Sequence, residues 1–286
     1  MKKYLSAYTP SLGELWLIML ALLCVGGSIA SAIVTFGIKS IMEVDLIQLS
    51  LLLYPLLFTF VIPFVWIRAK QSYREKTLMG VPIPQEAPPS FGSIPAWVFF
   101  ALLLILTPAA SIAIEPLSMW IKMPDFFKEL FGGVSNNGWV SIFSLVIMAP
   151  LLEEWLCRGV ALNGLLKSGY SPAAAIVWSA FMFGVIHMNP WQAIPAFTLG
   201  LLFGWVYWRT KSLWSVIFMH AINNGSSVAL TWLLPNLSED ASALDLVGGQ
   251  WYPWVLSGAV IVVVSIIFLF HKKLRPATPL FSRASQ

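Results

Sequence analysis

Long apolar stretches divided by short polar ones set the plan of this chain. A helix that crosses a bilayer needs about 20 mainly apolar residues. The stretches 15–38, 46–67, 95–114, 139–166, 172–188, 190–208, 213–234 and 253–270 meet that pattern or come close to it. The pattern predicts an all-α, polytopic membrane protein with about eight transmembrane helices. The fourth stretch is overlong and carries charged residues near its middle. The fifth and sixth are short and meet at Met188-Asn189-Pro190. No repeat with a period of 20–50 residues is visible.

The segments between these stretches divide the chain into three blocks. Residues 1–138 hold the first three predicted spans. They also hold a segment, 80–94, whose Pro82, Pro84, Pro88 and Pro89 suit a cytoplasmic linker. In 124–131, Pro124 suits a first helical position and Phe127 and Phe131 fall four apart, which predicts a short helix on the outer surface. Residues 139–234 hold spans four to seven. Residues 235–286 supply an outer loop, the last span and a basic tail from 271, which is expected to be disordered.

Composition agrees. Of the 286 residues, 58% are apolar and 10% are charged, against about 25% charged in soluble domains. The 14 Trp and 19 Phe suit lipid contact and interfacial belts. Cys24 and Cys157 lie in separate apolar stretches, where small buried hydrophobes are expected rather than a disulfide or a metal knuckle. The net charge of +4 includes no basic helix of nucleic-acid character, so no nucleic-acid partner is expected.

The placement of the charge matters more than its size. If the N-terminus with Lys2 and Lys3 is cytoplasmic, eight spans place Arg68, Lys70, Arg74, Lys76, Lys167, Arg209, Lys211, Lys272, Lys273, Arg275 and Arg283 on that side. Lys39, Lys122 and Lys128 fall opposite. Cytoplasmic loops carry such an excess. Both termini are therefore expected in the cytoplasm, with the chain integral to a bacterial plasma membrane. The first apolar stretch is longer than the core of a cleaved signal peptide, and removing it would upset the parity of the remaining spans.

Ionisable residues inside spans cost at least ~2.5 kcal/mol each on insertion scales and persist when paired, wetted or functional. Glu154 and Arg158 stand four apart on one helical face, as an ion pair would. Glu153 is rotated about 100° from Glu154, so it need not share that arginine and is available as a general base. His220 and Asn224 also stand four apart and could aim two donors at one oxygen, as an oxyanion hole requires. Interhelical hydrogen bonding is the plainer use of the same pair. Phe183 lies one turn before His187 and is expected to pack on it. Gly200 and Gly204 form a GxxxG expected to serve close helix packing. No chemistry is assigned to Glu115.

Glu153-Glu154-Trp-Leu-Cys-Arg158 is an EExxxR, Phe183-Gly-Val-Ile-His187 an FxxxH, and His220-Ala-Ile-Asn-Asn224 an HxxxN. In this order on successive membrane helices the set resembles the CPBP family: CAAX prenyl proteases, Abi proteins and bacteriocin-processing enzymes. The resemblance covers roughly 139–234. It implies that Glu153 and His187 activate a water and that His220 and Asn224 stabilise a tetrahedral oxyanion. Glu154 and Arg158 would be the supporting ion pair, and Phe183, the first residue of the FxxxH, is counted with them as a supporting residue.

The expected function is thus a glutamic-type intramembrane endopeptidase. Its partners would be the lipid bilayer and a peptide or protein substrate, lipidated or membrane-bound. No cofactor is required. One alternative keeps the hydrolysis but uses zinc on His187, His220 and a glutamate, with one open position. Others are a non-catalytic scaffold or immunity protein of the same family, and, more remotely, a proton-coupled transporter. One tension remains: span lengths put His220 about 10 Å above the cytoplasmic start of its helix and His187 near the outer end of its own. A tilt, a shifted helix boundary or an inward dip at 188–190 around a polar intramembrane cavity would be needed to bring them together.

Overall fold

The computed structural model describes residues 2–84, 86–125, 128, 138–234 and 241–276, and these residues contain helices and no strand. In chain order the principal helices are α1 (Leu12–Lys39), α2 (Leu46–Leu52), α3 (Tyr54–Leu78), α4 (Ala96–Leu117), α5 (Trp139–Lys167), α6 (Pro172–Val185), α7 (Pro190–Thr210), α8 (Leu213–Leu233) and α9 (Tyr252–Lys273). Among the described residues, α1, α4, α5 and α9 are long and apolar enough to cross a membrane. The α2–α3 pair, bent by 50°, makes a fifth if taken as one span.

The remaining predicted spans are helical but fall below that standard. With 14 residues, α6 is short. Both α7 and α8 have 21 residues, but α8 gives positions to Ser215, His220, Asn223, Asn224, Ser226 and Ser227. These polar side chains lower its mean hydropathy, and all but the exposed Ser227 are buried or half-buried in the bundle. The expected surface helix 124–131 and the last ten residues of the tail lie, but for residues 124, 125 and 128, outside the described residues.

Helix starts follow local chemistry. Ser171 accepts from the Ala174 amide and precedes Pro172, while Asn189 accepts from the Gln192 amide and precedes Pro190. A side-chain oxygen at the cap and a proline at the first helical position both suit amides that have no intrahelical acceptor. Ser212 caps α8 in the same way.

The core lies around α5. Half of the apolar window of α5 is buried inside the protein, against 17% for α9, so α5 is central and α9 peripheral. Leu156, Val160 and Leu162 of α5 meet Met182 of α6, Phe203 and Val206 of α7, and Val216 and Met219 of α8 in one apolar cluster. Small residues draw α6 and α7 together. A methyl on Gly184 would lie 2.8 Å from the Ala193 carbonyl oxygen. One on Gly200 would lie 3.2 Å from Ala180, and one on Gly204 3.1 Å from Ile176. The GxxxG therefore packs helices closely.

The winding of α5 is not uniform. Ile142–Met148 and Trp155–Leu162 are wound with i→i+5 hydrogen bonds, and the regular turn between them, Ala149–Glu154, carries both acids. Local π-type winding marks functional sites in many helices. The proline-rich segment, expected as a linker, is instead pinned to the bundle. The Ser90 amide donates to the Thr210 carbonyl at 2.9 Å. Phe91 stacks on Phe99 with centroids 4.5 Å apart, and Glu86 accepts from the Asn163 side-chain amide at 2.9 Å. An aromatic anchor and fixed proline dihedrals make a strap out of a sequence that reads as a spacer.

Candidate active site

On α5, Glu154 and Arg158 are one turn apart and wholly buried. The Arg158 Nη1 lies 2.8 Å from the Glu154 carboxylate, and Nη2 donates to the Gly200 carbonyl on α7 at 3.0 Å. The guanidinium lies 4.6 Å from the Phe183 ring centroid and 5.5 Å from that of Phe203. A buried charge needs compensation of this kind, because desolvating an unpaired ion costs several kcal/mol. Glycine at position 200 is part of the arrangement, since a methyl there would stand 3.3 Å from Nη2.

The carboxylate has a second partner that helix spacing does not reveal. His220 Nδ1 on α8 lies 2.9 Å from Glu154 Oε1. One acid therefore joins a guanidinium on its own helix to an imidazole on another. The contact directs the His220 ring, leaving Nε2 as the nitrogen available to a substrate.

Both imidazoles border the same phenyl ring. Phe183 packs edge-on against His187 at 5.1 Å and against His220 at 5.4 Å between centroids. The helix boundary is what brings them together. The predicted span ran to 188, but α6 stops at Val185. His187 then lies in the turn before α7, its Nδ1 2.7 Å from the Phe183 carbonyl oxygen. Asn189 secures that turn by donating from Nδ2 to the His187 carbonyl at 2.7 Å, and Met188 takes a left-handed φ of 54°.

Glu153 is not left without a partner, as helix geometry alone suggested. The Tyr54 hydroxyl donates to its Oε1 at 2.5 Å. Its other oxygen, Oε2, is buried with no hydrogen-bond partner within the protein. The sequence reading missed Tyr54 because it lies 99 residues away. The usable signal was a tyrosine beside Pro55 inside an apolar run, since a buried phenol needs an acceptor.

Asn224 Nδ2 donates to the Leu145 carbonyl on α5 at 2.8 Å, and its Oδ1 accepts from Asn223 at 3.2 Å. The Leu145 carbonyl is open for a local reason. In the i→i+5 winding the Ala149 amide bonds the Ser144 carbonyl. The next donor in register would be residue 150, a proline with no N–H. The orphaned carbonyl takes the asparagine instead, and one of the two amide N–H groups of Asn224 remains for other use.

A three-ligand metal site does not fit this arrangement. Among the described residues no three His, Cys, Asp or Glu side chains gather to hold a metal ion, and the Glu154 carboxylate is shared between Arg158 and His220.

Comparison with known proteins bears on the same stretch of chain. Residues 135–226 match the family model for Rce1-like type II CAAX prenyl endopeptidases, a range that holds every motif residue from Glu153 to Asn224. The chain is also similar to the candidate membrane peptidase YdiL of Bacillus subtilis (strain 168). They are 30% identical over 78 residues, which cover 27% of this chain and 32% of that protein. The matched stretch thus spans about a third of the relative. No solved structure matches at a significant level.

Proposed function

We propose, for a chain whose residues 135–226 match the family model for Rce1-like type II CAAX prenyl endopeptidases, that it is an intramembrane endopeptidase of the glutamic type. The observation that carries this reading is the buried Glu154 carboxylate joined to both Arg158 and His220, next in sequence to a Glu153 with one buried oxygen that has no partner within the protein. Glu153 Oε2 takes a proton from a water held with His187 as the water oxygen attacks the peptide carbonyl carbon. Negative charge collects on the carbonyl oxygen. The free N–H of Asn224 and Nε2–H of His220 hold it, His220 acting as an imidazolium with Glu154 as counterion. The proton returns to the amine nitrogen as the C–N bond breaks. Arg158 keeps Glu154 in place through the cycle.

The substrate is a peptide or protein presented at the membrane. The eight-span topology, with both termini in the cytoplasm, fits where exposed tryptophans fall. Trp97 and Trp214, 77% and 67% exposed, begin α4 and α8. Trp120, Trp139 and Trp254, 73%, 65% and 73% exposed, lie at the opposite ends of the spans. Under this topology the first two mark the cytoplasmic interface and the other three the outer one, as aromatic belts do. At about 1.5 Å per residue, α6 is roughly 21 Å long, shorter than a ~30 Å hydrocarbon core. The shared edge contacts of both rings with Phe183 bring His187 near His220.

The test compares membrane proteomes of wild-type, Glu153→Gln and His187→Ala strains. An uncleaved precursor is expected to accumulate in both variants and to be processed by the purified wild-type protein in vesicles. If both variants process every membrane protein as wild type does, the peptidase reading is wrong.

A further inference from the structure

A second proline repeats the device found at Pro150. Between α2 and α3 the chain bends at Leu53, and Pro55 opens the next turn. Continued helix would bond the residue 55 amide to the Leu51 carbonyl, and proline has no such donor. The Leu51 oxygen, near the Leu53 amide but without its helical donor, accepts from the Ser144 hydroxyl of α5 at 2.6 Å. The carbonyl freed by Pro150 belongs to Leu145, the next residue along α5, and takes Asn224 of α8. Two proline-freed carbonyls thus tie the α2–α3 bend, α5 and α8 together at neighbouring positions of α5. Tyr54 stands at that bend, between Leu53 and Pro55.

From this geometry we infer that Tyr54 is the positioning residue of Glu153, holding Oε1 so that Oε2 is the oxygen that accepts the proton of water. The inference rests on the peptidase reading above. A carboxylate in an apolar interior can rotate and present either oxygen. A phenol fixed on a separate element removes that freedom by occupying one of them. The remaining oxygen, buried and without a partner in the protein, faces the reaction as a single defined base. Among the described residues the phenol hydroxyl bonds the Glu153 carboxylate and no imidazole or oxyanion donor, so its effect on chemistry runs through Glu153. Its ring also packs against Phe58, with centroids 6.4 Å apart, a contact that phenylalanine at position 54 keeps.

The test uses the full chain in phospholipid nanodiscs, as wild type, Tyr54→Phe, Glu153→Gln and the double variant. Infrared difference spectra, each protein minus its Glu153→Gln counterpart, isolate the carboxylate bands of Glu153. Removing the phenol hydroxyl is expected to shift the antisymmetric stretch, because a short hydrogen bond to one oxygen polarises the group. Turnover is read on the precursor that accumulates in Glu153→Gln cells. Loss of alignment of a reacting group costs about a hundredfold in rate, so kcat of Tyr54→Phe is expected to fall by up to that factor with KM within about twofold. A role confined to packing would move neither the infrared band nor kcat. If Glu153→Gln is inactive while Tyr54→Phe matches wild type in both readings, the positioning role is refuted and the peptidase reading stands. If Glu153→Gln processes the precursor normally, the peptidase reading fails and this inference with it.

Discussion

Replacing Arg158 with methionine isolates the energetics of the buried centre. The substitution keeps an unbranched chain of similar reach and removes the charge. It strips the Glu154 carboxylate of its 2.8 Å cation and the Gly200 carbonyl of its 3.0 Å donor. Breaking a buried pair by removing one partner costs about 3–5 kcal/mol, chiefly from the charge left behind. The Gly200 carbonyl keeps its place in the α7 ladder, so losing the second donor adds only about 1 kcal/mol, the worth of one hydrogen bond. His220, 2.9 Å from Glu154, can supply part of the lost compensation. We therefore expect a net loss of about 4 kcal/mol. Glu154→Gln removes the charge that makes the single change severe, so Glu154→Gln/Arg158→Met should be less destabilised than the sum of its parts. The interaction energy should be about 2 kcal/mol, within the range found for residues in contact. The measurement is reversible denaturant unfolding of the purified full chain, followed by far-ultraviolet circular dichroism, for all four proteins. A single-variant loss below about 1 kcal/mol, or additivity within about 0.5 kcal/mol, would show that Arg158 does not hold Glu154 as described.

Further expectations can be checked independently. Pro150→Ala restores an N–H aimed at the Leu145 carbonyl and so competes with Asn224. Precursor cleavage should drop several-fold, about the worth of one hydrogen bond, while the unfolding midpoint holds or rises. In Gly184→Ala the new methyl would meet the Ala193 carbonyl oxygen at 2.8 Å, so a loss of about 1–3 kcal/mol from overpacking should appear in the same unfolding assay. Burial, then the nearby Lys167, pushes the Lys211 amine down to about 8 from an ordinary 10.5. Between those values the folded chain releases a proton that the unfolded chain keeps. This group's contribution to stability therefore rises with pH across that window, and its cost is felt in full below it. The rise should be flatter in Lys211→Met than in wild type when both are followed from pH 8 to 10.5. Finally, treatment with a strong zinc chelator should leave precursor cleavage unchanged. Loss of activity restored by added zinc would overturn the metal-free chemistry.

What was legible in the sequence was whatever depends on neighbours in sequence. The helical plan followed from apolar run length, and the Glu154–Arg158 pair from their spacing of four. The close packing at Gly200 and Gly204 followed from a motif of small residues. The span count was less secure, because α6, α7 and α8 face one another and carry polar groups, and hydropathy cannot tell an interior polar side chain from a loop. The end of α6 was placed three residues too far along, since the turn at His187 is made by Asn189 and a left-handed Met188, which no periodicity encodes. The partners of Glu153 and Asn224 were invisible for another reason. Tyr54 and the Leu145 carbonyl reach them across the bundle, and a backbone oxygen becomes a ligand only where a proline has withdrawn its usual donor.

The proline-rich strap bears on how this protein can be handled. At Gly80 nothing lies within 4 Å of where a side chain would begin, so an insert beside this glycine meets open space, while its φ of 66° and the Val81–Lys76 bond closing the turn favour keeping the glycine itself. At Gly92 a side chain would overlap the Lys273 carbonyl at the end of α9. Twelve residues apart, these are a permissive and a forbidden graft point. An epitope or fluorescent reporter belongs at the first. At the second it would prise the last helix away from the rest of the protein.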